Sequence, residues 1–235
     1  RRAICGDLSP IAAFISYNYN TPVNVEEFDK EARRILVDVE AEYGWMYETT
    51  HLGDKKGKIN YTVWSDVFQC DQCNGEIIFW KAAVDTEKGE VRDAFLCPHC
   101  EATHTKRSVT KAQITLFDRA LGQTIRQAKT VPVLINYTFG TKRFEKIPDQ
   151  KDLILIEKIN EKESPYWFPT DALPKGDKMS DPFNKGVTHV NHFYTNRNLR
   201  ALSLIKDKIN NAHERHLPFW FTSTVPWCGK ENRLH

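Results

Sequence analysis

The sequence predicts an α+β chain on three observations. A strand, turn and helix open it over residues 1–17, an apolar stripe at helical spacing follows over 25–43, and two Cys-x-x-Cys pairs flank a β-rich stretch in the middle. The composition of the 235 residues, 40% hydrophobic and 27% charged, is that of a folded chain with a sizeable core. No apolar run reaches the roughly 18 residues that a membrane span needs, so no membrane partner is expected. The formal charge of +2, from 33 basic and 31 acidic side chains, is too small to imply a polyanionic partner. Any such site must come from local clustering.

Residues 1–7 read as a strand with no secretory segment ahead of it. A chain that opens inside a strand is expected to be an excerpt of a longer, cytoplasmic protein. Ser9-Pro10 then supplies an N-cap and a proline at the first helical position. Asn24 with Glu27 reads as a capping box, after which Phe28, Ala32, Ile35, Leu36, Val39 and Tyr43 recur every three or four residues. Residues 59–68 form a β-rich run into the first cysteine pair.

Cys70 and Cys73 form that pair, and Cys97 and Cys100 the second, with 23 residues between Cys73 and Cys97. A Cys-x-x-Cys turn lets two thiolates converge on one tetrahedral ion, and a second turn delivered by an intervening hairpin closes the shell. Gly75 suits the tight turn and Pro98 stiffens the second knuckle. Residues 76–84 and 91–96 are β-rich and separated by a polar turn over 85–89, the outline of a zinc ribbon over about 61–110. Structural zinc is the favoured reading, with an iron–sulfur site as its main rival. Disulfides would need an oxidising compartment, and a redox motif does not occur twice at this spacing. His99 and His104 are alternative ligands read as surface residues, and Cys5 and Cys228 as ordinary buried thiols.

Beyond the ribbon, residues 116–130 read weakly as helix, 131–139 as a strand paired with 142–146 across Gly140, and 149–160 as a helix after Pro148. Pro165, Pro169, Pro174, Pro182 and two glycines make 164–187 a long ordered loop or a linker. A helix from Thr195 presents Leu199, Leu202, Ile205, Ile209 and Ala212 on one face, followed by an apolar segment over 217–224. Basic residues gather at Lys106, Arg107 and Lys111, at Arg126 and Lys129, and at Lys142, Arg143 and Lys146, near Tyr137 and Phe139. Such groups suit a phosphate backbone or stacked bases; a solvated charged face is the plain alternative.

The opening, Arg2-Ala3-Ile4-Cys5-Gly6-Asp7-Leu8-Ser9-Pro10-Ile11-Ala12, resembles the second strand and following helix of S-adenosylmethionine-dependent amino-methyltransferases acting on DNA. Five further segments resemble, in order, the zinc-ribbon-containing, large-insert DNA methylases of bacteria and archaea. They are Tyr43-Gly44-Trp45-Met46-Tyr47, Ile59-Asn60-Tyr61-Thr62-Val63-Trp64-Ser65-Asp66, the paired cysteines, Tyr166-Trp167-Phe168-Pro169 and Phe193-Tyr194-Thr195-Asn196-Arg197-Asn198-Leu199. The resemblance implies a partial Rossmann-like element in which Asp7 holds the ribose hydroxyls of S-adenosylmethionine. A mixed α/β insert carrying the zinc ribbon follows it, and double-stranded DNA is the implied partner. It divides the chain into a cofactor-domain piece (1–22), a helical segment (23–60), the ribbon (61–110), a mixed insert that contacts DNA (111–190) and a helical return (191–235).

The family's glycine-rich loop and its Asp/Asn-Pro-Pro-Tyr/Phe catalytic tetrapeptide are not among these residues, and Asp181-Pro182-Phe183-Asn184 imitates the latter with one proline only. No residue here is therefore assigned a catalytic role. The implied reaction is direct attack of an exocyclic amine of adenine or cytosine on the sulfonium carbon, with no cysteine nucleophile. The alternatives are a non-enzymatic zinc-ribbon nucleic-acid-binding module and an interaction adaptor in which the ribbon is a folding staple.

Overall fold

A computed structural model describes Ile4 and residues 6–230. The helices among them are α1 (Pro10–Asn20), α2 (Val25–Tyr43), α3 (Phe79–Ala83), α4 (Gln150–Glu161), α5 (Ser180–Asn184), α6 (Asn196–Asn210) and α7 (Leu217–Thr224). The chain folds as two units. The first gathers the described residues up to Met46 with Ser164–Pro169 and those from Asn191 onward; the second holds Tyr47–Glu163 and Thr170–Val190.

The first unit is helical. Asn24 caps α2 by accepting from the Glu27 N–H at 3.4 Å, and the buried residues Ala32, Ile35, Val39 and Tyr43 form its stripe. Leu36, which the periodicity includes, is exposed. Thr195 caps α6 through the Asn198 N–H, and α6 buries Leu199, Leu202, Leu204 and Ile209. Lys208 of α6 pairs with Asp38 of α2 at 3.1 Å, and the Tyr166 hydroxyl donates to Glu42. Burial, reinforced by the Glu42 charge, pushes Tyr43 up to about 12. Phe219 of α7 packs edge-on against Phe14 and Tyr19 of α1.

The second unit is built on strands. β1 (Glu48–Thr50) pairs with β2 (Lys56–Gln69), a strand of 14 residues whose far end pairs with β3 (Glu76–Ile78). After α3 come two hairpins, β4 (Val84–Asp85) with β5 (Glu90–Val91) and β6 (Ala94–Leu96) with β7 (Thr103–Thr105). β8 (Thr110–Lys111) returns to β2, and β9 (Gln113–Asp118) folds onto β10 (Gln123–Ala128). β11 (Thr130–Phe139) and β12 (Lys142–Lys146) complete a sheet of order β1-β2-β11-β12 that curls into a half-barrel.

Pro132 sits inside the central strand β11, where a proline costs a ladder bond. The register shifts between Pro132 and Leu134, so a bulge absorbs it. At the near end Gly57 lets the Tyr137 ring lie against β2: a Cβ there would stand 2.4 Å from the ring. The Tyr137 hydroxyl meets His51 Nδ1 at 2.8 Å, and Ile59 and Ile135 fill the core beside it.

Several expectations are corrected. Ile4, Gly6 and Asp7 lie in no strand, while Arg1, Arg2, Ala3 and Cys5 are outside the described residues. Ile4 and Leu8 are fully exposed, as a strand packed into a sheet would not leave them. Every strand pairing among the described residues is antiparallel, and no Rossmann-like element is found. The weak helix over 116–130 is instead the β9–β10 hairpin, turned by Gly122 at φ 65° and by Asp118, which accepts from the Leu121 N–H. Residues 79–83, read as strand, form α3, and the loop over 164–187 contains α5, which takes up Asp181-Pro182-Phe183-Asn184.

Asp149 caps α4 in a reciprocal box with Asp152. Asp152 is buried; it also accepts from Thr49 of β1 at 2.6 Å and pairs with Lys146 of β12 at 2.9 Å. One carboxylate thus ties α4 to both edge strands. Asp152→Ala is expected to cost about 2 to 4 kcal/mol in urea unfolding, because it takes the acceptor from the buried Thr49 hydroxyl, breaks the reciprocal cap of α4 and leaves the half-buried Lys146 with Asp149 as its one remaining carboxylate. Burial opposes the charge of Asp149, but Lys146 and the Asp152 N–H outweigh it and hold its carboxyl below the usual range. Its contribution is therefore full at neutral pH and is lost as pH falls through that lowered value, below about pH 4.

Candidate metal centre

Each cysteine pair tops its own hairpin. Cys70 follows β2 and Cys73 precedes β3; Cys97 follows β6 and Cys100 precedes β7. The β4–β5 hairpin between them only spaces the two knuckles, rather than delivering the second one. The knuckles share one backbone pattern: the Cys70 N–H donates to the Gly75 carbonyl and the Asn74 N–H to that of Cys70, while Cys97 donates to Ala102 and Glu101 to Cys97. The left-handed residue in each is the one after the second cysteine, Asn74 at φ 62° and Glu101 at φ 60°. Gly75 has a different task. A Cβ there would lie 2.4 Å from the His99 ring, and its N–H donates to the Cys73 sulfur at 3.4 Å.

The two knuckles bring Cys70, Cys73, Cys97 and Cys100 together, with all four sulfurs within 4.8 Å of one another. Cys70 and Cys100 stand 3.7 Å apart, as do Cys73 and Cys97. A tetrahedron with metal–sulfur bonds of about 2.3 Å has edges of about 3.8 Å, so the shell fits a single ion such as zinc. A disulfide needs about 2.05 Å, and a multi-iron cluster places inorganic sulfide between more widely separated ligands. Four thiolates leave no open position, which makes the site one for holding structure rather than for activating water.

The charge balance also calls for a cation. Burial opposes ionisation of Cys97, yet the N–H groups of His99 and Cys100 draw its thiol down to about 7. Cys100 receives an N–H from Ala102, but burial and the three neighbouring sulfurs push it up to about 12. Cys70 is lowered and Cys73 raised in the same way. Sulfurs this close raise one another's cost of ionisation, and a positive centre between them would relieve it.

The site has a second layer that sequence reading missed. His104 was expected at the surface but is 4% exposed, with Nε2 3.2 Å from the Cys70 sulfur and Nδ1 3.6 Å from Asp71 Oδ1. Its cross-strand partner is the buried Phe95, so strand alternation would have placed it inside. His99 is exposed, as expected, with Nε2 3.1 Å from the Glu76 carbonyl oxygen. Phe68, Ile77, Phe95 and Val109 back the sulfurs with an apolar cluster.

The remaining candidates lie apart from the cysteines. Asp7 is exposed, and its Oδ1 accepts the Ser9 N–H at 2.8 Å. Cys228 is half-buried, its thiol raised by burial; Cys5 is outside the described residues. Three of the basic groups meet carboxylates: Lys111 with Asp66, Lys129 with Glu76, and Lys146 with Asp149 and Asp152. Lys106 lies over the Phe79 ring. Comparison of the chain with protein-family models, with curated proteins and with solved structures finds no match in any of the three.

Protein purified without added metal is expected to carry one zinc ion per chain by elemental analysis. Joint replacement of Cys97 and Cys100 by serine should abolish it. Because filling the site displaces protons from Cys73 and Cys100, the apparent affinity should rise with pH across about 6 to 8. Metal retained by the double variant would refute the assignment of these ligands.

Proposed function

We propose that this chain is the part of an S-adenosylmethionine-dependent DNA amino-methyltransferase that carries the ribose-binding carboxylate and a metal-stapled insert. Adenine N6 or cytosine N4 is the methylated atom. The observation that carries the reading is the closed four-cysteine shell, standing in sequence order among the segments that resemble the zinc-ribbon methylases. Zinc is the ion it holds, and its role is to fix the insert that positions the DNA.

The chemistry is consistent with this division of labour. Attack of an exocyclic amine on a sulfonium methyl needs neither a metal nor a thiol nucleophile, and Cys228, half-buried with a raised thiol, is suited to neither task. Among the described residues Asp7 has one oxygen engaged, by Ser9, and its other oxygen is left to accept from a ribose. S-adenosylmethionine would supply the methyl group, and Asp7 would hold its ribose end. The Ser9 bond also favours a second reading, in which Asp7 serves only to cap α1 and the chain is a non-enzymatic zinc-ribbon nucleic-acid-binding module.

Asp7→Ala in the full-length gene product separates the two. In the first reading, calorimetric titration shows S-adenosylmethionine binding weakened roughly ten- to a hundredfold, about 1.4 to 2.8 kcal/mol, with melting temperature nearly unchanged. Unaltered affinity leaves Asp7 a capping residue and the binding module ahead. The 235 residues by themselves are expected to transfer no radiolabelled methyl group to DNA, since none of them supplies the tetrapeptide that holds a flipped base.

A further inference from the structure

We infer that a polar cleft beside the first knuckle is a binding site for the phosphodiester backbone of nucleic acid, an assignment that rests on the DNA partner proposed above. The cleft measures about 480 Å³, and every side chain lining it is polar. Lys111, Arg126 and Lys185 bring cations, Gln69, Gln113 and Asn184 bring amides, and Asp181 is the single carboxylate in the lining. These residues come from β2, β8, β9, β10, α5 and the residue after α5, so no stretch of sequence announces the site.

The walls are fixed by backbone contacts. Gly186, at φ 76°, lies so close to β10 that a Cβ would stand 2.1 Å from the Arg126 carbonyl oxygen. The Ala128 N–H donates to the Lys185 carbonyl at 2.9 Å, and the Gln127 side chain donates to that of Gly186 at 3.4 Å. Arg126 and Lys185 are therefore held next to each other by the docking of the α5 loop onto the hairpin. At the opposite wall Gln69 donates to Asn74 of the first knuckle at 2.7 Å.

Charge selects the ligand. Lys111 is matched by Asp66 at 3.0 Å and Lys185 by Asp181 at 2.8 Å, whereas Arg126 is exposed and has no ion pair among the described residues. A net surplus of one positive charge among amide donors suits a singly charged phosphodiester, contacted by the guanidinium and shared with the half-buried lysines. No aromatic or aliphatic residue lines the cleft, so a base has no ring to stack on and an acyl chain no hydrophobic side chain to pack against. The basic residues of β12, Lys142 and Arg143, lie outside this lining and serve as a built-in control.

Fluorescence anisotropy of a labelled duplex against salt, on the whole chain with its zinc content verified, tests the assignment. Arg126→Ala should weaken binding about three- to tenfold near 0.1 M NaCl and lower the slope of log K against log salt by about 0.9, the value of one phosphate contact. Arg126→Lys should restore the slope, and Lys142→Ala with Arg143→Ala should leave both quantities unchanged. Wild-type slope in Arg126→Ala, with DNA still bound, overturns the cleft alone and leaves the DNA partner standing. Failure of the wild-type chain to bind any duplex overturns the DNA partner and the cleft with it. Inorganic phosphate shifting the Arg126 side-chain resonance without any duplex binding would make this a free-phosphate site and overturn the nucleic-acid source.

Discussion

Strand β2 is the constraint on which the second unit depends. Its near end pairs with β1 and β11 to make the half-barrel, and its far end pairs with β3 and β8 and stops at Gln69, one residue before Cys70. A strand of 14 residues cannot bend freely, so the orientation of the first knuckle is set by the sheet. Backbone bonds complete the junction: Val67 donates to Lys129, Ala112 to Val67 and Lys129 to Ala112, closing a ring that seats the base of the β9–β10 hairpin on β2. The ribbon is thus a continuation of the sheet, and its apolar cluster begins on the same strand with Phe68.

This continuity changes how the metal contributes. A free-standing ribbon has too little core to fold without its ion. Here one knuckle is supported by the sheet whatever the metal does, while the second is held by the short β6–β7 hairpin and by the contact of its sulfurs with Cys70 and Cys73. Charge on the sulfurs is least tolerable at Cys73 and Cys100, whose thiols burial and the neighbouring sulfurs push up. His104, buried at hydrogen-bond distance from the Cys70 sulfur on one side and facing Asp71 on the other, supports the first knuckle from behind. Partners of this kind orient metal ligands and tune them as much as the ligands themselves do.

The elements that were legible in the sequence are those specified locally. The stripe of α2 and its Asn24 cap, the Pro10 start of α1, the Asp149 cap of α4 and the Gly140 turn between β11 and β12 all follow from residues within a few positions of one another. The four cysteines were legible because the spacing of metal ligands is itself a local code. The misses have the opposite character. The β9–β10 hairpin is largely exposed on both strands and so carries little of the alternation that marks a half-buried strand. Leu36 extends an apolar pattern that packing does not use, and His104 owes its burial to a partner strand nine residues away, Phe95. The opening residues carry a motif whose meaning depends on a sheet that the described residues do not form.

Charge is where linear reading fails most. Three basic clusters stand out in the sequence, yet the carboxylates that answer them come from elsewhere: Glu76 lies 53 residues from Lys129, and Asp66 lies 45 from Lys111. Three of the eight basic residues, Lys111, Lys129 and Lys146, are engaged in ion pairs with carboxylates distant or on another element, while Arg126, one of those without an ion pair among the described residues, belongs to the hairpin that reads as helix in the sequence. Its setting joins the two themes of the molecule. Gln69 lines the cleft one residue before Cys70, and its amide is anchored on Asn74, the residue whose left-handed backbone turns the first knuckle. An ion held by Cys70 and Cys73 therefore fixes one wall of the cleft, and Gly186 fixes the other. A closed metal shell performs no chemistry of its own, but in this arrangement it sets the geometry in which a neighbouring polar surface can work.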